Sequence, residues 1–138
     1  MKKFSSAAAS LAALLIAGGC AALPPAPKGG ELSGTLWKPN ASPRLAYVEF
    51  TDDDRMVGCA GTNRFFGPVS YAKGKRIRLG PLAATRMPPG PNAKYEEQFF
   101  SAMENTRGYV LEDDKLTFYS EERQPLMVLT PLGRQTGR

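Results

Sequence analysis

The chain has 138 residues, with 18 Lys and Arg against 13 Asp and Glu, two Cys, no His and a formal net charge of +5. The absence of His excludes the common serine and cysteine catalytic triads and the usual zinc sites, because each of these needs an imidazole. Removal of the leader described next takes away Lys2 and Lys3 and leaves a formal charge of +3. Since nucleic-acid binding needs a dense basic face, we expect no nucleic-acid partner.

The first 19 residues have the composition of a signal peptide. Residues 1–3 carry positive charge, residues 7–17 are small and apolar, and residues 18 and 19 are glycines that suit a cleavage site. The apolar run is shorter than the roughly 20 residues that a membrane-spanning helix needs. We therefore expect residues 1–19 to be removed as a signal peptide. Because no other stretch of the sequence is as apolar, we also expect no membrane-spanning segment.

Cys20 follows directly, and Gly18-Gly19-Cys20 resembles the lipobox of bacterial lipoproteins. The resemblance implies a diacylglyceryl group on the Cys20 thiol and an acyl chain such as palmitate on its amine. Two or more chains hold a protein stably on a membrane, whereas one chain binds only marginally. Ala21 rather than Asp comes next, which by resemblance to Gram-negative lipoproteins implies the outer membrane, facing the periplasm. The alternative is cleavage by the general signal peptidase, which would release a soluble protein.

Three further regions follow the lipidated cysteine. Residues 20–31 are rich in Pro and then Gly, which favours an extended tether with a flexible joint. Residues 32–132 are long enough for one domain with a single core. Residues 133–138 are polar and basic, and we expect them to be frayed.

Short apolar stretches alternate with turn signals through the domain, which predicts a mainly β (α+β) fold, a small antiparallel β-barrel or sandwich. The predicted strands are 35–37, 45–51, 56–61, 65–71, 77–79, 109–112, 115–120 and 126–130. The predicted hairpin turns are 52–54, 73–75, 113–114 and 121–122.

One segment has helical instead of strand periodicity. After Asn92, a good N-cap residue, apolar side chains recur at three- and four-residue steps until Gly108. This spacing predicts one amphipathic helix, with Glu96 near its positive end. The preceding Pro88-Pro89-Gly90-Pro91 forces a rigid entry, because each proline fixes φ and removes a donor.

Three segments, in this order, resemble the META domain of the HslJ-like family: residues 61–67 (Gly-Thr-Asn-Arg-Phe-Phe-Gly), residues 82–87 (Leu-Ala-Ala-Thr-Arg-Met) and the predicted helix. The opening residues 32–37 fit that family's start as well. The resemblance implies a compact domain of strands with one helix, in secreted or envelope-anchored proteins linked to heat shock, envelope stress or antibiotic tolerance. It implies no known catalytic reaction.

The resemblance also selects four family-signature positions as candidates for binding, namely Asn63, Arg64, Thr85 and Arg86. Asn63 suits the bend between two strands, since Asn tolerates left-handed backbone. The Arg64 and Arg86 guanidinium groups are able to bind a carboxylate or phosphate with two hydrogen bonds each. The alternative is that each clamps carboxylates or loop carbonyls within the fold.

Cys59 is a candidate free thiol, because it has no partner within the chain if Cys20 carries lipid. Many members of the family have cysteines where this chain has Thr62 and about Pro89. Both are absent here together, as expected if these two cysteines normally bond to each other. Cys59 is either a redox or partner-linking thiol or a small buried residue on a strand. A thiol becomes reactive when nearby positive groups lower its pKa, and no His is present to do so.

We expect no metal site and no cofactor. Residues 52–54 are three Asp without the alternating ligands and central Gly of a calcium loop, which favours a solvated turn. Residues 73–78 hold four Lys or Arg around Gly74 without the spacing of a phosphate-binding loop. They predict a basic hairpin that either faces anionic lipid or serves solubility.

These patterns favour a non-enzymatic, envelope-anchored lipoprotein that binds an unknown periplasmic or envelope protein and touches the membrane through its N-terminal lipid. The alternative function is a lipid-tethered inhibitor of a lysozyme or protease, with the rigid segment 88–92 entering the target's cleft. A hydrolase is disfavoured, because no nucleophile and base can be paired in the sequence.

Overall fold

A computed structural model describes residues 30–134 of this protein. The signal peptide, Cys20, the tether up to residue 29 and residues 135–138 lie outside the described residues. The predictions made for them therefore stay predictions.

The described chain forms nine strands and one helix, and each of the eight predicted strands has a counterpart. The elements in chain order are β1 (Thr35–Pro39), β2 (Tyr47–Phe50), β3 (Arg55–Cys59), β4 (Arg64–Ala72), β5 (Arg76–Leu79), β6 (Ala83–Ala84), α1 (Ala93–Asn105), β7 (Gly108–Glu112), β8 (Lys115–Tyr119) and β9 (Pro125–Arg134). The predicted mainly β fold with one helix is confirmed. Strand β6 was not predicted, because two alanines carry no strand signal of their own.

All strand pairs are antiparallel, in the order β3-β2-β1-β9-β8-β7-β5-β4-β6, and β3 also pairs with β4. This additional pairing closes the sheet into a ring. Strand β6 continues the line of β5 along the same edge of β4, since Gly80 N–H donates to Pro68 O (2.8 Å) between the two pairings. A cis peptide bond joins Gly80 and Pro81 at this interruption.

The core fills the inside of the ring, because alternate strand residues point inward. In β4 the burial alternates strictly from Arg64 to Ser70, with Phe65 buried and Phe66 exposed. Helix α1 adds Phe99 and Met103 to this core, and the Phe65 and Phe99 ring centroids are 5.2 Å apart. The helix therefore covers one part of the interior that the strands leave open. No helix within residues 30–134 is long and apolar enough to cross a membrane.

The ring is weakest between β5 and β7, which share one residue pair, Arg76 with Gly108. Two backbone hydrogen bonds flank this pair, from Ile77 N–H to Arg107 O and from Tyr109 N–H to Lys75 O, both 3.0 Å. Beyond this row the two strands diverge. Residues of both strands line the cleft described below.

Two boundaries and one helix cap differ from the sequence prediction. Helix α1 ends at Asn105, before Gly108, because the next residue, Thr106, is fully buried in an extended conformation. Asn92 is the N-cap residue, yet its side chain donates to Thr62 Oγ1 (3.2 Å) and makes no capping bond. Strand β9 continues through Arg134, two residues into the tail expected to be frayed, since β1 pairs with its second half.

Candidate functional site

Asn63 joins the β3–β4 turn to the start of α1. Its backbone N–H donates to Glu96 Oε2 (2.8 Å), and its Nδ2 donates to Glu96 Oε1 (3.4 Å). Glu96 is only 6% exposed. The Glu96 carboxylate, which the sequence placed near the positive end of the helix, thus also accepts the hydrogen bonds of Asn63 in the β3–β4 turn.

The amide oxygen of Asn63 binds the segment between β6 and α1 by two hydrogen bonds. It accepts hydrogen bonds from the Thr85 hydroxyl (3.1 Å) and from Met87 N–H (2.7 Å). Thr85 Oγ1 in turn accepts from Arg64 N–H (3.1 Å), and Thr85 N–H donates to Arg64 O (3.0 Å). The residues Asn63, Thr85 and Glu96, which we call the signature network, therefore hold three chain segments together by hydrogen bonds to one another.

Arg64 and Arg86 are both exposed. Among residues 30–134, neither guanidinium forms an ion pair or a hydrogen bond. The alternative expected each guanidinium to clamp a carboxylate or a loop carbonyl within the fold, and no such contact is present among residues 30–134. Neither arginine lines the basic cleft described below or either of two further clefts on the described surface. The structure brings Arg64 next to Thr85 through the backbone and leaves both charges facing solvent.

Cys59 is buried, with 8% of its surface exposed, and is a free thiol. It lies at the end of β3 between Tyr47 and Arg64 in the strand register. Its Sγ accepts a hydrogen bond from Gly61 N–H at 3.4 Å.

A basic cleft of about 590 Å³ opens where β5 and β7 diverge. Besides apolar and small residues, its lining includes Tyr119, one carboxylate and five cationic side chains: Glu121, Lys73, Lys75, Arg76, Arg107 and Arg123. The predicted basic hairpin supplies three of the cations. Arg107 lies in the connection between α1 and β7, and Arg123 lies in the turn between β8 and β9. No sequence pattern linked them to residues 73–78.

The tether enters the fold beside this cleft. The Glu31 carboxylate forms an ion pair with Lys75 and accepts a hydrogen bond from the Tyr109 hydroxyl (2.9 Å). These hydrogen bonds, from Lys75 first and then Tyr109, lower the pKa of Glu31. The next residue, Leu32, is fully buried in the core. The last tether residue is thus fastened to a residue that lines the cleft.

Acidic residues do not gather into a metal site in the described part of the chain. No three His, Cys, Asp or Glu side chains there are grouped as metal ligands would be. Asp52 and Asp53 lie in the β2–β3 turn, where the Thr51 hydroxyl bonds to Asp53.

Two solved structures share this fold. The NMR structure of a protein from Burkholderia xenovorans has 18% sequence identity and a TM-score of 0.60, covering 82% of this chain and 94% of that chain. The crystal structure of a DUF4847 family protein from Bacteroides vulgatus ATCC 8482 has 17% identity and a TM-score of 0.51, covering 66% of this chain. This chain spans 61% of that second protein's length. At these identities the likeness shows the fold alone.

Comparison with curated proteins finds no match. The sequence model of the META domain matches residues 31–131, which include the helix, every strand except the last three residues of β9, and the whole signature network. The match begins at Glu31, the residue that fastens the tether to the fold. The chain therefore belongs to the META domain family.

Proposed function

We propose that this protein is a non-enzymatic binding module of the cell envelope, anchored by lipid on Cys20 and connected to the lipid by its proline-rich tether. One observation carries the proposal: Asn63, Thr85 and Glu96 are occupied by hydrogen bonds to one another and to backbone groups. A catalytic site would instead need a nucleophile and a base aimed together at substrate. The signature network thus supports a role in building a binding surface.

The surface that the network builds combines charge with exposed apolar groups. Phe66 on β4 is 51% exposed and Met87 is 56% exposed. Arg64 precedes Phe66 by two residues on the same strand face, and Arg86 precedes Met87. Aromatic, Met and Arg side chains are enriched at the centres of protein interfaces. We assign this face, formed by Arg64, Phe66, Arg86 and Met87, to an envelope or periplasmic protein partner and call it the signature face.

The anchoring part of the proposal is tested by the mass of the mature N-terminus and by cell fractionation. We expect the mass of a diacylglyceryl-modified, acylated Cys20 and a membrane-bound protein. The Cys20→Ala variant should move to the soluble fraction. An unmodified N-terminal mass, together with unchanged membrane binding of Cys20→Ala, would contradict lipid anchoring.

The binding part is tested by crosslinking in the envelope with matched variants. Arg64→Ala with Phe66→Ala should lose a specific, stoichiometric crosslinked partner. The control, Arg44→Ala with Leu45→Ala, removes one exposed Arg and one exposed apolar side chain elsewhere on the domain. If both double variants crosslinked the partner protein equally well, the signature face would not be its binding site.

A second candidate function, a lipid-tethered inhibitor of a lysozyme or protease, is favoured by the segment before α1. Residues 83–91 are all exposed, and Pro88, Pro89 and Pro91 stiffen the segment. Its base is fixed where Met87 N–H donates to Asn63 Oδ1. A rigid projecting segment loses little entropy when it enters a cleft. Inhibition of a purified lysozyme or protease that disappears in Met87→Ser, but persists in Leu45→Ser, would support this function over the first.

A further inference from the structure

Positive charge is concentrated in the basic cleft. The mature chain has a formal charge of +3, whereas the residues lining the cleft carry five Lys or Arg against Glu121, a formal +4. The rest of the mature chain is therefore slightly negative. A cleft that holds more than the whole charge excess attracts anions at its own position, beyond any general effect on solubility.

Not all of this charge is neutralised within the fold. Arg76 is paired with Glu121 at 2.8 Å, and Lys75 is paired with Glu31. Arg107 Nη1 donates to the carbonyl oxygens of Glu104 and Thr106, both at 2.8 Å, so its side chain is positioned but keeps its charge. Within residues 30–134, the Lys73 and Arg123 side chains form no ion pair. Three cations thus face the cleft without a countercharge.

The rest of the lining suits a ligand that is only partly ionic. Val110 is 38% exposed and the Tyr119 ring also borders the cleft, so apolar surface lies next to the cations. The volume of about 590 Å³ is in the range of small-molecule sites, about 300–1,000 Å³. Inorganic phosphate would leave most of that volume and all of the apolar surface unused. A phosphodiester with an attached glycerol unit would use both.

The position of the tether identifies the source of such a group. Glu31, its last residue, bonds to Lys75 at the cleft and to Tyr109. The cleft therefore lies at the point where the anchored segment reaches the domain. We propose that the basic cleft binds the phosphodiester headgroup of an anionic membrane phospholipid, so that the domain docks on the membrane to which it is tethered. The docked arrangement rests on the lipid anchor proposed above, whereas headgroup binding itself does not.

The test uses the mature chain carrying Cys20→Ala, so that no lipid anchor contributes to membrane binding. Its partition is measured on vesicles of phosphatidylcholine alone and of phosphatidylcholine with phosphatidylglycerol in equal parts. We expect binding only to the anionic vesicles, and weaker binding at high salt. Adding Lys73→Gln and Arg123→Gln should lower the partition coefficient about thirty-fold, since each removes one charge close to the anionic surface.

The matched control, Arg44→Gln with Lys94→Gln, removes the same formal charge outside the cleft and should bind nearly as well as the parent chain. Equal loss in both double variants would reduce the interaction to net charge and overturn the proposal, as would no preference for anionic vesicles. Displacement by low concentrations of inorganic phosphate would assign the cleft to free phosphate. If Lys73→Gln with Arg123→Gln left vesicle binding unchanged but lost a partner in the envelope crosslinking experiment described above, the cleft would be assigned to a protein. Because Cys20 is absent from this experiment, its outcome is independent of lipid anchoring.

Discussion

Glu96 has a role in the structure that its position in the sequence does not indicate. In the sequence it is a negative side chain in the first turn of a helix, where it favours the macrodipole. In the structure it is buried and accepts the backbone N–H of Asn63 from 33 positions away. A buried acceptor that satisfies a partly buried donor stabilises the fold more than a solvated charge does, because the donor would otherwise be unpaired.

We expect Glu96→Ala to lower the free energy of unfolding by about 1–3 kcal/mol, the cost of leaving the Asn63 N–H without its acceptor. Glu96→Gln keeps an acceptor oxygen and should lose less. Glu97→Ala, at the exposed neighbouring position, should change stability by less than about 0.5 kcal/mol. Urea denaturation of the three variants measures the differences. Similar losses for Glu96→Ala and Glu97→Ala would show that the Asn63 contact contributes nothing.

At the scale of elements, two strands depart from a simple meander. Strand β9 pairs with β8 through its first half and with β1 through its second half, so it is longer than its apolar segment suggested. Strand β5 stops at Leu79, and β6 resumes the pairing with β4. Both features follow from closing the ring, because each edge must find a partner along its length.

Closure also requires close approach of β2, β3 and β4 at Gly58. A Cβ at this position would lie 2.2 Å from Tyr47 O and 2.6 Å from the Phe65 ring. Gly58→Ala should therefore cost about 1–3 kcal/mol or more in the free energy of unfolding, because backbone and a core ring would have to move.

Gly90→Ala is the matched control for this substitution, since a Cβ at Gly90 meets nothing within 4 Å. Its stability should stay within about 0.5 kcal/mol of the parent. Thermal melts followed by circular dichroism give both values. A Gly58→Ala protein as stable as Gly90→Ala would mean that the three strands are not packed as closely as described.

For the whole molecule, the closed ring has one end shaped by the arriving tether. Leu32 is buried in the core, Gly30 lies against the Tyr71 ring, and Glu31 bonds to Tyr109. Burial, followed by the nearby charge of Asp54, raises the pKa of Tyr71 to about 12. Burial and the hydrogen bond to Glu31 also raise the pKa of Tyr109. Both phenols are thus held neutral where the tether meets the domain.

This arrangement predicts alkaline instability. The pKa of each tyrosine is higher in the folded protein than the value near 10 of an unfolded chain. The stabilisation is therefore complete below about pH 10 and is lost as the pH rises toward 12. We expect the melting temperature to fall over this range, and to fall less in a Tyr71→Phe/Tyr109→Phe variant even if that variant melts lower at neutral pH.

Tyr47→Phe, which leaves both phenols in place, is the control and should decline as the parent does. The measurement is a series of thermal melts between pH 8 and 11.5, evaluated as the change in melting temperature with pH. If the double variant declined as steeply as the parent, titration of Tyr71 and Tyr109 would not be the cause.

The sequence by itself determined the local structure. Alternation of apolar residues located eight strands, and three- and four-residue spacing located α1. Short runs containing Asp, Gly or Glu located the hairpin turns, because all of these signals depend only on near neighbours. It also named Asn63 and Thr85 as signature residues. The lengths of β9 and α1 were less accurate, since their ends depend on what Thr106 and Arg134 meet across the chain.

Only the tertiary structure decided which distant residues meet. The contact of Asn63 with Glu96, the position of Arg64 and Arg86 outside the basic cleft, and the joining of Arg107 and Arg123 to the basic hairpin all depend on strand register and ring closure. Local pattern does not encode register across such separations, because the same alternation fits several pairings until the core is packed. The strands and the helix of this protein can therefore be predicted from local sequence, whereas its candidate site forms only when the ring closes.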